Sequence, residues 1–114
     1  MQNPSKIELD LLNKNWILFN NSPNKTYYTF VPGTTRVPQA LCLINKYDAA
    51  KNLIGTESKQ YKITTGKGRF VLWLDNEEFF IDIADIPNPK SFILTHRGIR
   101  NEFRISDQKD VKQN

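Results

Sequence analysis

The chain has 114 residues, 39% of them hydrophobic and 25% charged, which makes one domain with a core of its own and excludes a disordered chain. Lys and Arg number 16 against 12 Asp and Glu, a formal net charge of +4, too mild for a nucleic-acid-binding arm, and no long block of like charge occurs. Cys42 is the only cysteine, which excludes an intrachain disulfide and a multi-cysteine zinc site.

The opening MQNPSKIELDLL lacks a basic segment followed by an apolar one and does not read as a signal peptide. No apolar run approaches the ~20 residues that span a bilayer. The expected location is cytoplasmic; a secreted or periplasmic lipoprotein with its leader removed is the alternative. Within this opening, Pro4 marks a boundary by holding Asn3 extended. SKIE then has the form of a capping box with Ser5 as cap and Glu8 as its return partner. Ile7, Leu11 and Leu12 form one apolar stripe, so a short helix is expected to stop near Asn13–Asn15 with that stripe lying on something.

The period then changes. Trp16–Asn20 and Thr26–Val31 are rich in aromatic and β-branched residues and predict strands around the turn chemistry of NNSPNK. PGTTRVP carries two prolines and reads as a loop or edge segment. Ala40–Asn45 predicts a strand, Tyr47–Lys51 a hairpin loop, and Asn52–Glu57 and Gln60–Thr64 two further strands. TGKG is a turn in which Gly66 and Gly68 can take positive φ. Arg69–Leu74, Glu78–Ile83, Phe92–Thr95 and NEFRI complete the set, and the polar tail from 107 to 114 is expected to fray. Eight or nine short strands without strand–helix alternation predict an all-β fold, an antiparallel barrel or sandwich of sequential hairpins. The small up-and-down barrel with a short N-terminal helix at one end is the preferred form, and residues 1–106 are its single domain.

RFVLWLDNEEFFIDI, from Arg69 to Ile83, departs from ordinary alternation. Phe70, Leu72 and Leu74 share one face and Val71 and Trp73 the other, so a strand expected to have one wet face is apolar on both. The outer face, with Trp73 and Phe80, calls for cover from the helix or from a partner. The inner set of Phe70, Leu72, Phe79, Ile81, Phe92 and Phe103 is bulky enough to fill a small barrel or to wall a cavity for one ligand.

The chain also resembles a family. A short helix runs into a Trp at the first strand (LLNKNW). The closing region carries a Tyr-x-Ile strand, an apolar strand, an F-x-I strand, an x-L-x-L-T-like strand and a final F-x-I strand. Tyr61, Ile63, Phe79, Ile81, Ile93, Leu94, Phe103 and Ile105 fall on these positions. This pattern, over roughly 11–105, is similar to bacterial lipocalin-like domains of the calycin group. In that family a Gly usually stands two residues before the Trp, where this chain has Lys14, and an Arg packs across the Trp, a role open to Arg100 or Arg104. The resemblance implies a barrel able to take a lipophilic ligand and implies no activity.

No catalytic or metal motif emerges. His96, the only histidine, lies in the turn sequence THRGIR without an acid–base partner at recognisable spacing. Cys42 reads as a buried small hydrophobe. TTGKG lacks the first glycine and the final Ser or Thr of a phosphate loop. Asp75, Glu77 and Glu78 lack the spacing of a calcium loop. The expected function is therefore non-enzymatic, without cofactor: binding of a small hydrophobic or amphipathic ligand in the barrel, lined by Trp16, Tyr28, Phe30, Leu72, Phe79, Ile81 and Phe92. One alternative is a protein-interaction module or homodimer using Trp73 and Phe80. A second is a single-stranded nucleic-acid binder that combines Lys67, Arg69, Lys90, Arg97, Arg100 and Arg104 with Tyr27, Tyr28 and Trp73.

Overall fold

Pro4 decides where the chain first becomes regular. A proline is best tolerated in the first turn of a helix, where its missing N–H has no partner to lose. In a computed structural model, which describes residues 3–12 and 14–106, helix α1 spans Pro4–Leu11. Its cap is Asn3, extended as expected at φ −152°, whose side chain accepts from the Lys6 N–H at 2.9 Å. Ser5 is thus inside the helix rather than its cap. Glu8 does not close a capping box; its carboxylate accepts from the Tyr61 hydroxyl at 2.9 Å. Proline at the first helical position moves the start two residues earlier than the SKIE pattern indicates.

Eight strands follow: β1 (Asn15–Leu18), β2 (Lys25–Val31), β3 (Leu41–Tyr47), β4 (Leu53–Gly66), β5 (Arg69–Leu74), β6 (Glu77–Ile83), β7 (Ser91–His96) and β8 (Ile99–Ile105). Each pairs antiparallel with the next, and β8 returns to β1 to close an up-and-down barrel. The fold is all-β with one short N-terminal helix. The main departure is β4: the segments expected at Asn52–Glu57 and Gln60–Thr64 are one strand of 14 residues. Its first half pairs with β3, from Leu53 opposite Tyr47 to Gln60 opposite Leu41, and its second half pairs with β5 from Tyr61 onward. The tail expected to fray, 107–114, lies outside the described residues.

Two hairpins show turn chemistry at work. In the β4–β5 turn the positive φ values belong to Lys67 (54°) and Gly68 (73°), while Gly66 stays in the ladder opposite Arg69. Positive φ at both central residues is the turn whose twist suits a two-residue hairpin. In the β3–β4 turn the Asp48 carboxylate accepts from the Ala50 and Asn52 N–H groups, each at 2.9 Å. The hydrogen bond from the Asn52 backbone is the main reason its carboxyl is held below the usual range.

Ile7 and Leu11 are fully buried and belong to the barrel core. The helix therefore stops one end of the barrel and does not cover the outer face of β5. The Trp16 indole Nε1–H donates to the Leu11 carbonyl at 3.1 Å, and Lys14 Nζ donates to the Asp10 carbonyl at 2.8 Å, so side chains satisfy two of the carbonyls that a helix end leaves open. Across the interior the rings touch in series. Trp16 lies 4.8 Å from Phe92, Phe92 is stacked on Phe103 at 5.0 Å, and Phe30 meets Tyr61 edge-on at 5.2 Å. Among the described residues every buried side-chain nitrogen and oxygen has a hydrogen-bond partner, and no helix is long and apolar enough to cross a membrane.

Two substitutions test this packing by denaturant unfolding. Trp16→Ala should cost about 3–5 kcal/mol, as expected for removal of a buried aromatic side chain. Gly33→Ala should also destabilise the fold, by about 1–3 kcal/mol, the range for overpacking. A Cβ at Gly33 would overlap the Pro38 carbonyl oxygen, a backbone atom in the β2–β3 loop with little room to move. A Gly33→Ala protein as stable as the parent would contradict that close approach.

Candidate functional site

One barrel end is stopped by α1, so the opposite end, where β3 turns into β4 and β5 into β6, is the mouth. Strand alternation decides which side chains line it. The registers Tyr28–Ile44–Glu57 and Cys42–Lys59 place Tyr28, Ile44, Lys46, Glu57 and Lys59 on the inward side. On the other wall Glu77 and Phe79 share a face with Ile81, and His96 shares a face with Leu94. The mouth thus carries charged side chains at inward positions directly above an aromatic floor.

The charged groups are loosely paired. Lys46 Nζ lies 3.8 Å from Glu57 Oε2, and Lys59 Nζ lies 3.8 Å from Glu77 Oε1. The other oxygen of Glu77 is 3.8 Å from His96 Nε2. His96 is held from its other nitrogen, Nδ1, 2.9 Å from the Glu78 carbonyl, and its ring stacks on Phe79 with centroids 4.5 Å apart. Below them Tyr28 packs on Phe103 at 4.6 Å. Burial pushes the Tyr28 hydroxyl up to about 12, with added repulsion from Cys42, Glu57 and Glu77. Cys42 is buried, and its thiol is likewise pushed up to about 12 by burial, only partly offset by the Lys59 ammonium. It sits as an unreactive core residue under the polar rim.

The seven residues expected to line a ligand site fall into two groups. Trp16, Phe30, Leu72, Ile81 and Phe92 are buried in the core cluster. Tyr28 and Phe79 are half-buried, pack against that cluster and stand next to the mouth. The inward charges Lys46, Glu57, Lys59 and Glu77 were not anticipated. The signal was present in the alternation of Glu57, Lys59, Tyr61 and Ile63, but it becomes visible only once β4 is one continuous strand.

Other expectations resolve differently. Trp73 and Phe80 do face outward, yet they are half-buried and not bare. Lys62 Nζ lies 5.6 Å from the Trp73 ring centre, the Trp73 indole donates to Thr64 Oγ1 at 3.0 Å, and the Arg69 guanidinium lies 4.1 Å over Phe80. Between them Val71 is buried. The outer apolar row is thus covered by the barrel's own cations. Of the two arginines considered for packing on Trp16, Arg104 lies 3.6 Å over Phe19; the cation over Trp16 is Lys14, 5.9 Å from its ring centre. Tyr28 points inward while Tyr27 and Trp73 lie on the outward side of β2 and β5, so these three rings do not form one stacking platform. Asp75 spends its carboxylate on the Gln60 N–H at 2.9 Å. Among the described residues no three His, Cys, Asp or Glu side chains gather to hold a metal ion.

Among the described residues, surface clefts lie at the helix-closed end. One of about 500 Å³ runs along Gly68–Phe70 and Ile81–Ala84, and one of about 240 Å³ lies between Pro4, Ser5, Glu8 and Tyr61–Ile63. Their charged groups are already engaged, Arg69 with Asp82 at 3.5 Å and Glu8 with Tyr61 at 2.9 Å. The mouth is the better candidate because groups of opposite sign converge there over an apolar floor.

The raised values at Tyr28 and Cys42 make a pH prediction. Both neutral forms are favoured by the fold, so their contribution is intact below about pH 9, the unfolded value for the thiol, and is lost as pH rises towards about 12. Unfolding free energy measured in urea should fall above about pH 9, and the slope should be shallower in Tyr28→Phe and in Cys42→Ala. An unchanged slope in both variants would contradict the burial of these groups.

No family model matches the chain, and neither the curated proteins nor the solved structures give a match, so the reading of this mouth rests on its own residues.

Proposed function

We propose that the protein is a non-enzymatic, lipocalin-like binding domain that takes a small hydrophobic or amphipathic molecule at the mouth of its barrel. The observation that carries this reading is the contrast between the two ends. One end is stopped by Ile7 and Leu11 of α1. The other sets Lys46, Glu57, Lys59, Glu77 and His96 around Tyr28 and Phe79. An apolar group would lie on Tyr28 and Phe79, with Trp16, Phe30, Leu72, Ile81 and Phe92 as the wall beneath. A polar head would exchange with the rim pairs. These pairs are at 3.8 Å and partly exposed, and such pairs contribute little to stability, so exchanging their partners costs little.

The reading predicts a chain-length dependence. In a thermal-shift and calorimetric screen of amphiphiles with increasing alkyl length, each buried methylene should add about 0.8 kcal/mol, close to fourfold in affinity, until the floor is reached. At 100 times its Kd a ligand should add about 2.7 kcal/mol to stability, roughly 10–20 °C in Tm for a domain of this size. Phe79→Ala should weaken binding by roughly tenfold while leaving the fold intact. Flat melts across the series would reject a binding role for the mouth.

A further inference from the structure

The long strand β4 outruns its neighbour. From Tyr61 onward it pairs with β5, but from Leu53 to Lys59 it pairs only with β3. The last closure on the β5 side is made by Asp75, whose N–H donates to the Gln60 carbonyl at 2.8 Å and whose carboxylate accepts from the Gln60 N–H at 2.9 Å. The next residue faces the other way, since the Tyr61 N–H donates to the Ala40 carbonyl at 3.0 Å. By alternation the N–H and C=O groups of Thr56 and Ser58 point away from β3, along an edge that no strand of the described residues covers; between Gly55 and Leu53 the register against β3 shifts by one residue, so Ile54 sits at a bulge. These residues are exposed, and Leu53 and Ile54 keep 54% and 55% of their surface in solvent.

An open edge is normally blunted by charge. Here the charges on the edge strand are Glu57 and Lys59, and both are turned inward to Lys46 and Glu77, so neither projects across the edge. The free window is bounded by the start of β4 at Leu53 and by the Gln60–Asp75 closure, and its centre is Thr56. An antiparallel copy of the same window laid about that centre sets Thr56 against the partner's Thr56 and Ile54 against the partner's Ser58. In that register the outward N–H and C=O groups of Thr56 meet those of its copy, and Glu57 falls opposite the partner's Gly55. No like charges are opposed. A register centred on Glu57 would instead oppose two carboxylates.

The geometry points to a second copy of this chain as the occupant: the edge Leu53–Lys59 pairs with itself about a two-fold axis at Thr56, joining two barrels through one continuous sheet. The interface is isologous and closes on itself, giving dimers and not fibres. A single strand pair is a small interface of the weak, reversible kind, so the association is read at high protein concentration. It stands independently of ligand binding at the mouth.

Sedimentation equilibrium of the full chain up to about 1 mM tests it. A reversible monomer–dimer equilibrium is expected. Thr56→Pro removes the N–H that faces the open edge, together with the exposed hydrogen bond that the hydroxyl donates to Asn45 Oδ1 at 2.8 Å, and should weaken the dimer by roughly tenfold or more, with a far-UV spectrum unchanged at low concentration. Should that variant fail to fold, Thr56→Lys and Thr56→Glu keep the backbone donor and decide the matter. Each alone should dimerise several-fold more weakly than the parent, because position 56 meets its own copy. An equimolar mixture of the two should associate more tightly than either alone. A parent chain that stays monomeric to about 1 mM overturns the proposal, as does a dimer that tolerates Thr56→Pro or a mixture no tighter than its components.

Discussion

The hydrogen bond from the Trp16 indole to the Leu11 carbonyl, at 3.1 Å, joins the one helix to the barrel. A buried indole N–H without an acceptor would cost about 1–3 kcal/mol, and so would a buried helix-end carbonyl without a donor. One contact resolves both. It also fixes the angle at which α1 enters, so that Ile7 and Leu11 face inward. Trp16 in turn packs edge-on against Phe92, which begins the series of ring contacts through the interior. A helix of eight residues has little stability of its own; it persists because its apolar stripe completes the core.

Legibility followed the strength of local signals. The β5–β6 hairpin was readable because apolar strands flank an obvious turn, and the structure keeps Arg69–Leu74 unchanged and begins β6 one residue early, at Glu77. The barrel class followed from hairpin after hairpin with no crossover helix. β4 was not readable as one strand, because its first half carries Glu57, Ser58, Lys59 and Gln60, a polar run that resembles a loop when the mouth it lines is unknown. The helix cap was misplaced for a related reason: two overlapping local patterns, Asn3 before Pro4 and Ser5 before Glu8, compete, and tertiary contact decides. Glu8 is taken by Tyr61, a residue 53 positions away, and no local rule could supply that partner. Of the expected ligand-lining residues, alternation in the sequence grouped Phe79 with Ile81 and Leu72 with Phe70 and Leu74, as the register does, but could not rank them by height in the barrel.

The two ends of the barrel manage polar groups in opposite ways. At the closed end they are consumed: the Tyr61 hydroxyl by Glu8, the Trp16 indole by Leu11, the Lys14 ammonium by Asp10. Burial, with the hydrogen bond to Glu8 second, holds the Tyr61 hydroxyl above its ordinary range. At the mouth the ion pairs Lys46–Glu57 and Lys59–Glu77 stand at 3.8 Å, beyond hydrogen-bond length, and His96 Nε2 lies at the same distance from Glu77. Polar groups are thus hydrogen-bonded at one end and loosely paired at the other.

The meander topology sets the order of entropic costs. Seven of the eight strand pairings join neighbours in sequence, and their ends are brought together by connections of two to nine residues. The eighth, β1 with β8, matches Trp16 with Ile105, Ile17 with Arg104 and Leu18 with Phe103 and must close a loop that contains nearly the whole chain. It has three registered pairs, as few as β1 with β2 and fewer than the other pairings in the barrel. The barrel is therefore a ribbon with a seam, and the conformational entropy released by parting that seam exceeds what any single hairpin returns. Slow steps in folding and the first openings of the native state belong at this junction, which is held at its two ends by the Phe19 N–H donating to the Glu102 carbonyl at 2.8 Å and the Ser106 N–H donating to the Asn15 carbonyl at 2.9 Å.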